Sequence, residues 1–328
     1  MVGLFLLCLH DEGSKIRGEI NEGEECKMGL FDKFKKKNVL KQDTTQKEEH
    51  PGMIFVMHLL MDEMCEMPNQ EYMHKIMNKH LGETDCFCHD DKVAGFAPKK
   101  YSVHFEKDNM NLSPQLMVMN CIKIEKPIMD DIARSQLWNC PEGEELLETC
   151  KYQVVATDMM AAGLEYKARA EMLVDYIEAL MEIYPSCKAV VFENSKKMFS
   201  REEILNCTMP KESRFIYYAV NVRFFNIQGT DDMLVDTLGM STLFLPDLQY
   251  HFHGMDPNEV VNHAYNVLSY IYDNDNPIKD GDHIDGLADG RMCQDVQWNM
   301  QYEMSLIQPV REVIDVNMGE YASGGREN

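Results

Sequence analysis

The sequence predicts an α+β fold, with mixed or antiparallel sheets, packed helices, and two halves that each follow a ferredoxin-like, split β-α-β order. Three observations lead there. Short apolar runs such as MIFVMHLLM have strand length, and they alternate with stretches whose apolar residues recur at helical spacing. Through the first half the order of these runs is β-α-β-β-α-β, which is the split order. The chain has 328 residues, 45% of them hydrophobic, so it can bury a large core.

In order, Met53 to Met61 reads as a buried strand and Asn69 to Leu81 as an amphipathic helix. Tyr101 to Glu106 and Gln115 to Ile124 are two further strands, Pro127 to Leu137 is helical, and Tyr152 to Thr157 is a strand again. After Gly163 comes the clearest helical pattern, in which Leu164, Ala168, Met172, Tyr176, Leu180 and Tyr184 line one face and Pro185 stops it. The second half continues with a strand Ala189 to Phe192, a short helix near Arg201 to Asn206, and a long strand Phe215 to Phe225. A strand around Leu248 to His253, a helix from Pro257 to Tyr272, and strands near Val296 to Tyr302 and Val310 to Val316 complete it. The domain reading is a leader and flexible basic or polar segment over 1–52, an N-terminal half over 53–160, a C-terminal half over 161–318 and a disordered, Gly- and charge-rich tail over 319–328. MGLFDKFKKK looks like an ordinary bacterial amino terminus, which places the expected start of translation at Met28.

With 32 Lys+Arg against 55 Asp+Glu, the formal charge of −23 repels phosphate backbones and anionic lipid. Nucleic acid and membrane are therefore excluded as expected partners, and a basic protein surface or a cation suits the field better. No apolar run approaches the roughly 20 residues of a membrane span. Eleven cysteines lie scattered, with no CxxC and no paired framework, which fits a reducing cytoplasm. Twenty-six methionines sit largely inside apolar runs and read as packing.

The most informative stretch runs from Gly239 to Gly286. Asp247 to His253 alternates, so that Leu248, Tyr250 and Phe252 face one way while Gln249, His251 and His253 face the other. Asp256-Pro257-Asn258-Glu259 then starts a helix, with Asp256 as N-cap and Pro257 at the first helical position. GMSTLFLPDLQYHFHGMDPNEVVNHAYNVLSYI and KDGDHIDG resemble a bacterial family known as domain of unknown function 4261. Upstream, SQLWNC, VVATDMMA and AVVFENSKKMFS look like that family's earlier blocks. The resemblance implies a soluble bacterial protein, in some cases associated with toxin-immunity loci, and supplies no reaction to carry over.

His263 falls on the second turn of the Pro257 helix, at the margin of its buried stripe. If strand and helix pack together, His251, His253 and His263 could converge near Asp247 or Asp256, giving three nitrogen ligands and an open position suited to zinc. The other reading is a polar face whose imidazoles bond to water or backbone. Arg223 in NVRFFN, Asp236 in VDTLGM and Arg311 in QPVREV are charges within or beside apolar, strand-like runs. With Asp247 they form either structural ion pairs or a cleft-lining clamp, because burying a charge is costly unless it is paired. CFCHDD reads as a reduced, cysteine-bearing strand end, and KDGDHIDG as a turn between strands.

There is no GxSxG, no phosphate loop and no calcium-loop spacing. The expectation is a non-catalytic, protein-binding module without a cofactor, immunity-like in that it neutralises another protein such as a toxin. The alternative is a metal-dependent hydrolase built on the histidines, with zinc or a similar divalent ion. Oligomeric state is left open.

Overall fold

A computed structural model describes residues 53–106 and 109–326. The expected leader over 1–52, with its start at Met28, lies outside the described residues. The chain divides into two compact units, Pro51–Asn221 with Gly239–Phe244, and Val222–Leu238 with Leu245–Asn328. The boundary expected near residue 160 falls instead at 221. The helix expected to open the second half belongs to the first unit, where most of its residues are buried.

In the first unit the elements are β1 (Val56–Met61), α1 (Gln70–Leu81), β2 (Thr84–His89), β3 (Val93–Pro98), β4 (Val103–Phe105), β5 (Met110–Leu112), β6 (Gln115–Met119) and β7 (Ile122–Lys123). They continue with α2 (Asp131–Arg134), α3 (Gly143–Thr149), β8 (Tyr152–Met159), α4 (Tyr166–Ile183), β9 (Ala189–Phe192), β10 (Lys197–Ser200), α5 (Arg201–Leu205) and α6 (Arg214–Ala219). The sheet order is β10-β9-β1-β8-β6-β3-β2, with β7 added on β8, and all of these pairs are antiparallel. A split β-α-β unit has one strand between the pair its helix connects; here three strands, β8, β6 and β3, separate β1 from β2. The 12-residue α1 rises about 18 Å, close to the roughly 19 Å that four strand spacings require.

Helix α4 packs against α1, and the Tyr176 hydroxyl donates to the Met117 carbonyl of β6 at 2.8 Å. Leu60, Ala189, Val191 and Met198 of the sheet pack with Met129, Ala133, Cys140 and Cys150 from the segment that carries α2 and α3. The expected helix over 127–137 shrinks to α2, where the Asp130 side chain accepts from the Ala133 amide. The expected long strand from Phe215 is also corrected: Phe215 to Ala219 form α6, and the strand begins at Asn221. Phe215, Ile216, Tyr218 and Ala219 are buried against α4 and β10, so packing overrides the β propensity of the aromatic run.

Segment Gly239–Phe244 rejoins this unit after the chain has left it. Gly239 has φ +136, and a Cβ there would stand 2.2 Å from the Ala219 carbonyl oxygen, so only glycine fits the turn. Thr242 of the segment accepts at 2.5 Å from Arg169, which also pairs with Asp158 at 2.8 Å; both charged side chains are buried. Burial pushes the Asp158 carboxyl up, and the Arg169 guanidinium pulls it back.

The second unit holds β11 (Asn221–Asn226), β12 (Met233–Leu238), β13 (Asp247–Phe252), α7 (Pro257–Asp273), β14 (His283–Ala288), β15 (Arg291–Met304) and β16 (Glu312–Asn317). Its sheet runs β11-β12-β13-β16-β15-β14; the β12–β13, β16–β15 and β15–β14 pairs are antiparallel and the β13–β16 pair is parallel. The described residues are therefore α+β, with one large antiparallel sheet, one mixed sheet and a two-stranded antiparallel ribbon of β4 and β5. The run KDGDHIDG, expected to be a turn alone, is a turn at Lys279–Asp282 followed by β14.

Candidate functional site

Strand β13 sets the geometry of the candidate residues, because its alternating side chains divide between two faces. Leu248, Tyr250 and Phe252 lie toward α7, and Asp247, Gln249 and His251 lie on the opposite face. Helix α7 starts as the sequence indicates, with the Asp256 carboxylate accepting from the Asn258 amide at 2.9 Å and Pro257 in the first turn.

His263 is fully buried rather than marginal. Its Nε2 lies 2.9 Å from the Asp285 carbonyl, which can only accept, so Nε2 carries the proton; Nδ1 then accepts from the Tyr250 hydroxyl at 3.0 Å. The ring also stands edge-on to Tyr250 and tilted over Trp298, with centroids 5.7 and 4.7 Å away. Burial drives its pKa down to about 4. Both nitrogens of a neutral imidazole are thus satisfied inside the fold.

His251 sits across the strand from that pair. Its Nε2 is 3.6 Å from Asp232 Oδ2, beyond hydrogen-bonding distance, and burial followed by the nearby Arg326 lowers its pKa to about 4. His253 donates from Nδ1 to Ser323 Oγ at 3.0 Å, and Ser323 in turn donates to Asp232 Oδ1 at 3.0 Å. His251 and His253 therefore share Asp232, while His263 lies on the other side of the strand, and the three nitrogen donors do not meet.

Arg223, Asp236, Asp247 and Arg311 do come together. Arg223 grips Asp236 with two bonds, 2.8 Å from Nε and 2.5 Å from Nη2. Arg311 reaches the same carboxylate and Asp247, both at 3.2 Å, and the Thr237 hydroxyl donates to Asp247 at 3.0 Å. Other guanidinium hydrogens go to the carbonyls of Gln308 at 3.0 Å and Pro309 at 2.8 Å. All four charges are buried, so each consumes another's bonding capacity and the cluster acts as a structural brace.

A second polar cluster on the unit escaped the sequence reading. Arg326 Nε holds Asp315 at 2.8 Å and the same guanidinium pairs with Glu303, while Gln249 Nε2 donates to Glu303 at 2.7 Å and to Asp315 at 3.2 Å. Burial and the neighbouring Asp315 push the Glu303 carboxyl up to about 7. The expected disordered tail is corrected here. The His253 amide donates to the Tyr321 carbonyl and the Ser323 amide to the His251 carbonyl, each at 2.9 Å, and Phe252 and Ala322 form an antiparallel bridge. Gly324 passes so close that a Cβ would lie 2.4 Å from His251 Nδ1. Asp315, an acid inside the apolar run VIDV, carries the same signal as Asp236; Arg326, in a Gly-rich tail, carries none.

At the end of the sheet, β14 pairs with β15 on one side and has no second partner among the described residues. In the chain from the end of α7 through β15, Asp273, Asp275, Asp280, Asp282, Asp289 and Asp295 are exposed, against Lys279 and Arg291 of opposite charge. Asp280 and Asp282 also accept backbone amides, from Tyr302 at 2.6 Å and Lys279 at 2.7 Å, which fixes the acidic turn beside the strand.

For a metal, one trio among the described residues, Cys140, Glu142 and Glu203, offers donor atoms within 4.8 Å of one another. Glu203 already accepts from the Ser200 amide at 2.8 Å as part of the α5 cap, and burial holds the Cys140 thiol at about 12, so this trio is first a helix terminus. No helix is long and apolar enough to cross a membrane among the described residues.

Neither the curated proteins nor the solved structures give a match to the chain. The upstream blocks SQLWNC, VVATDMMA and AVVFENSKKMFS lie outside the family match. That match covers residues 236–317, from Asp236 in β12 to the end of β16, and its model is the domain of unknown function DUF4261, the family that the Gly239 to Gly286 blocks resemble.

Proposed function

We propose that the chain is a non-catalytic module that receives a basic protein segment along the edge of β14. The observation that carries this reading is an end strand whose flanking chain segments expose six aspartates. An end strand offers unpaired backbone donors and acceptors to an added strand, while the acidic rim selects lysine- and arginine-rich sequences and speeds their approach. The buried charges fit a scaffold rather than a reaction centre, since the ion pairs are consumed internally and the histidines are divided between two faces. Neutralisation of a toxin, implied by the family resemblance, is the form of binding we favour. A reducing bacterial cytoplasm is the setting, in keeping with the free thiols from Cys65 to Cys293.

The test is hydrogen exchange on the intact protein with a lysine-rich, strand-forming peptide and an acidic peptide of equal length. Protection of β14 amides by the basic peptide alone is expected, weakening as salt shortens the Debye length below about 8 Å. Replacing Asp273, Asp289 and Asp295 together by Asn should slow association. Protection that spares β14 would refute the proposed surface.

A further inference from the structure

In the first unit, the loop after β1 and the turn between β6 and β7 border a cavity of about 570 Å³ whose lining includes Met64, Cys65, Met67, His89 and Cys121. Two thiols, two thioethers and an imidazole share this wall. Cys65 and Cys121 line the same cavity, although the residues are far apart in sequence. The Met67 sulfur is already fixed, since it accepts from the Tyr184 hydroxyl at 3.7 Å. His89 lies 2.8 Å from the Pro68 carbonyl through Nε2, which must therefore donate, leaving Nδ1 as the nitrogen with a lone pair. An imidazole pinned by its other nitrogen to a backbone carbonyl is the usual arrangement of a metal-binding histidine.

From this geometry we propose that the cavity binds a soft, monovalent d10 cation of the Cu(I) type, held between the sulfurs of Cys65 and Cys121 and supported by the Met67 thioether. Softness decides the class of ion, because thiolate and thioether sulfur favour Cu(I) over hard, oxygen-seeking cations. Coordination number decides against zinc, which wants four ligands. The cavity's cysteines, histidine and carboxylates supply no trio of donor atoms within 4.8 Å, whereas a two-sulfur site suffices for Cu(I). Loading replaces the two thiol protons, which leave to solvent, and involves no change of oxidation state.

The test uses the reduced, intact protein titrated anaerobically with Cu(I) against a colorimetric chelator, and x-ray absorption to identify the ligands. The expected result is one equivalent bound through two short copper–sulfur bonds. Cys65→Ser and Cys121→Ser should each weaken binding by about 100-fold or more, with Cys207→Ser unchanged as the control outside the cavity. Met67→Leu, which keeps the packing volume, should weaken it about tenfold without altering the near-ultraviolet dichroism, so that loss of binding is separable from loss of fold. A Cys65→Ser/Cys121→Ser double variant that stays folded and holds copper as tightly as the natural sequence would overturn the proposal. So would formation of a Cys65–Cys121 disulfide in place of stoichiometric copper uptake.

Discussion

Acidification should destabilise the second unit through His263, and the size of the effect follows from its two bonds. In the folded protein the ring is neutral, with Nε2–H given to the Asp285 carbonyl and Nδ1 receiving the Tyr250 hydroxyl. Adding a proton to Nδ1 sets two donors against each other in a buried site. The folded pKa of about 4 lies below the ordinary 6.5, so the stabilisation is complete above pH 6.5 and is lost as pH falls toward 4. Each unit of pH in that window removes at most about 1.4 kcal/mol per histidine, which is about 2 kcal/mol from His263 between pH 6.5 and 5. His251, also lowered to about 4, adds a parallel loss. His263→Gln keeps an amide that can donate to Asp285 but cannot titrate, so it isolates one histidine from the other and from the carboxylates. Urea denaturation of both proteins at pH 7.5, 6.5, 5.5 and 5.0 should show the natural protein's advantage shrinking by about 2 kcal/mol toward the acid end. A difference independent of pH would refute the buried, neutral imidazole.

Three further outcomes follow from the same geometry. Asp256→Ala should cost about 1 kcal/mol in chemical denaturation, through the lost bond to the Asn258 amide at the start of α7. Gly239→Ala should cost more, about 3 kcal/mol or failure to fold, because positive φ and the Ala219 carbonyl both oppose a side chain; a variant with unchanged thermal midpoint would contradict that turn. Arg223→Met should cost about 3 to 5 kcal/mol by stripping Asp236 of its two-bond partner, and a loss below about 1 kcal/mol would mean that solvent reaches the brace.

The sequence was most legible where local pattern and burial agree. Helix α7 shows its cap, its first-turn proline and its apolar stripe in consecutive residues, and β13 shows its alternation, so both are readable before any packing is known. The charges Arg223, Asp236 and Arg311 were also legible, since a lone charge in an apolar strand demands a partner. Asp315 obeyed the same rule and was overlooked. Convergence of the histidines was not legible, because it depends on which face of β13 meets α7. Once Tyr250 takes that face, alternation alone sends His251 to the other. The Phe215 run misled for a related reason: FIYYA has strand-like composition, but its position under α4 and β10 makes it a helix.

The excursion of Gly239–Phe244 into the first unit means that, among the described residues, the chain passes between the two bodies three times, after Asn221, after Leu238 and after Phe244. A family match from 236 to 317 therefore does not mark out a piece that can be cut free. It begins inside β12, discards β11 with Arg223, carries six residues that belong to the other body, and omits the Arg326 strap. Excised at those limits, the fragment would leave Asp236 without Arg223, its two-bond partner, and β12 without its outer neighbour. The inheritable segment and the foldable segment are different lengths of chain here, and expression trials should be designed on the second.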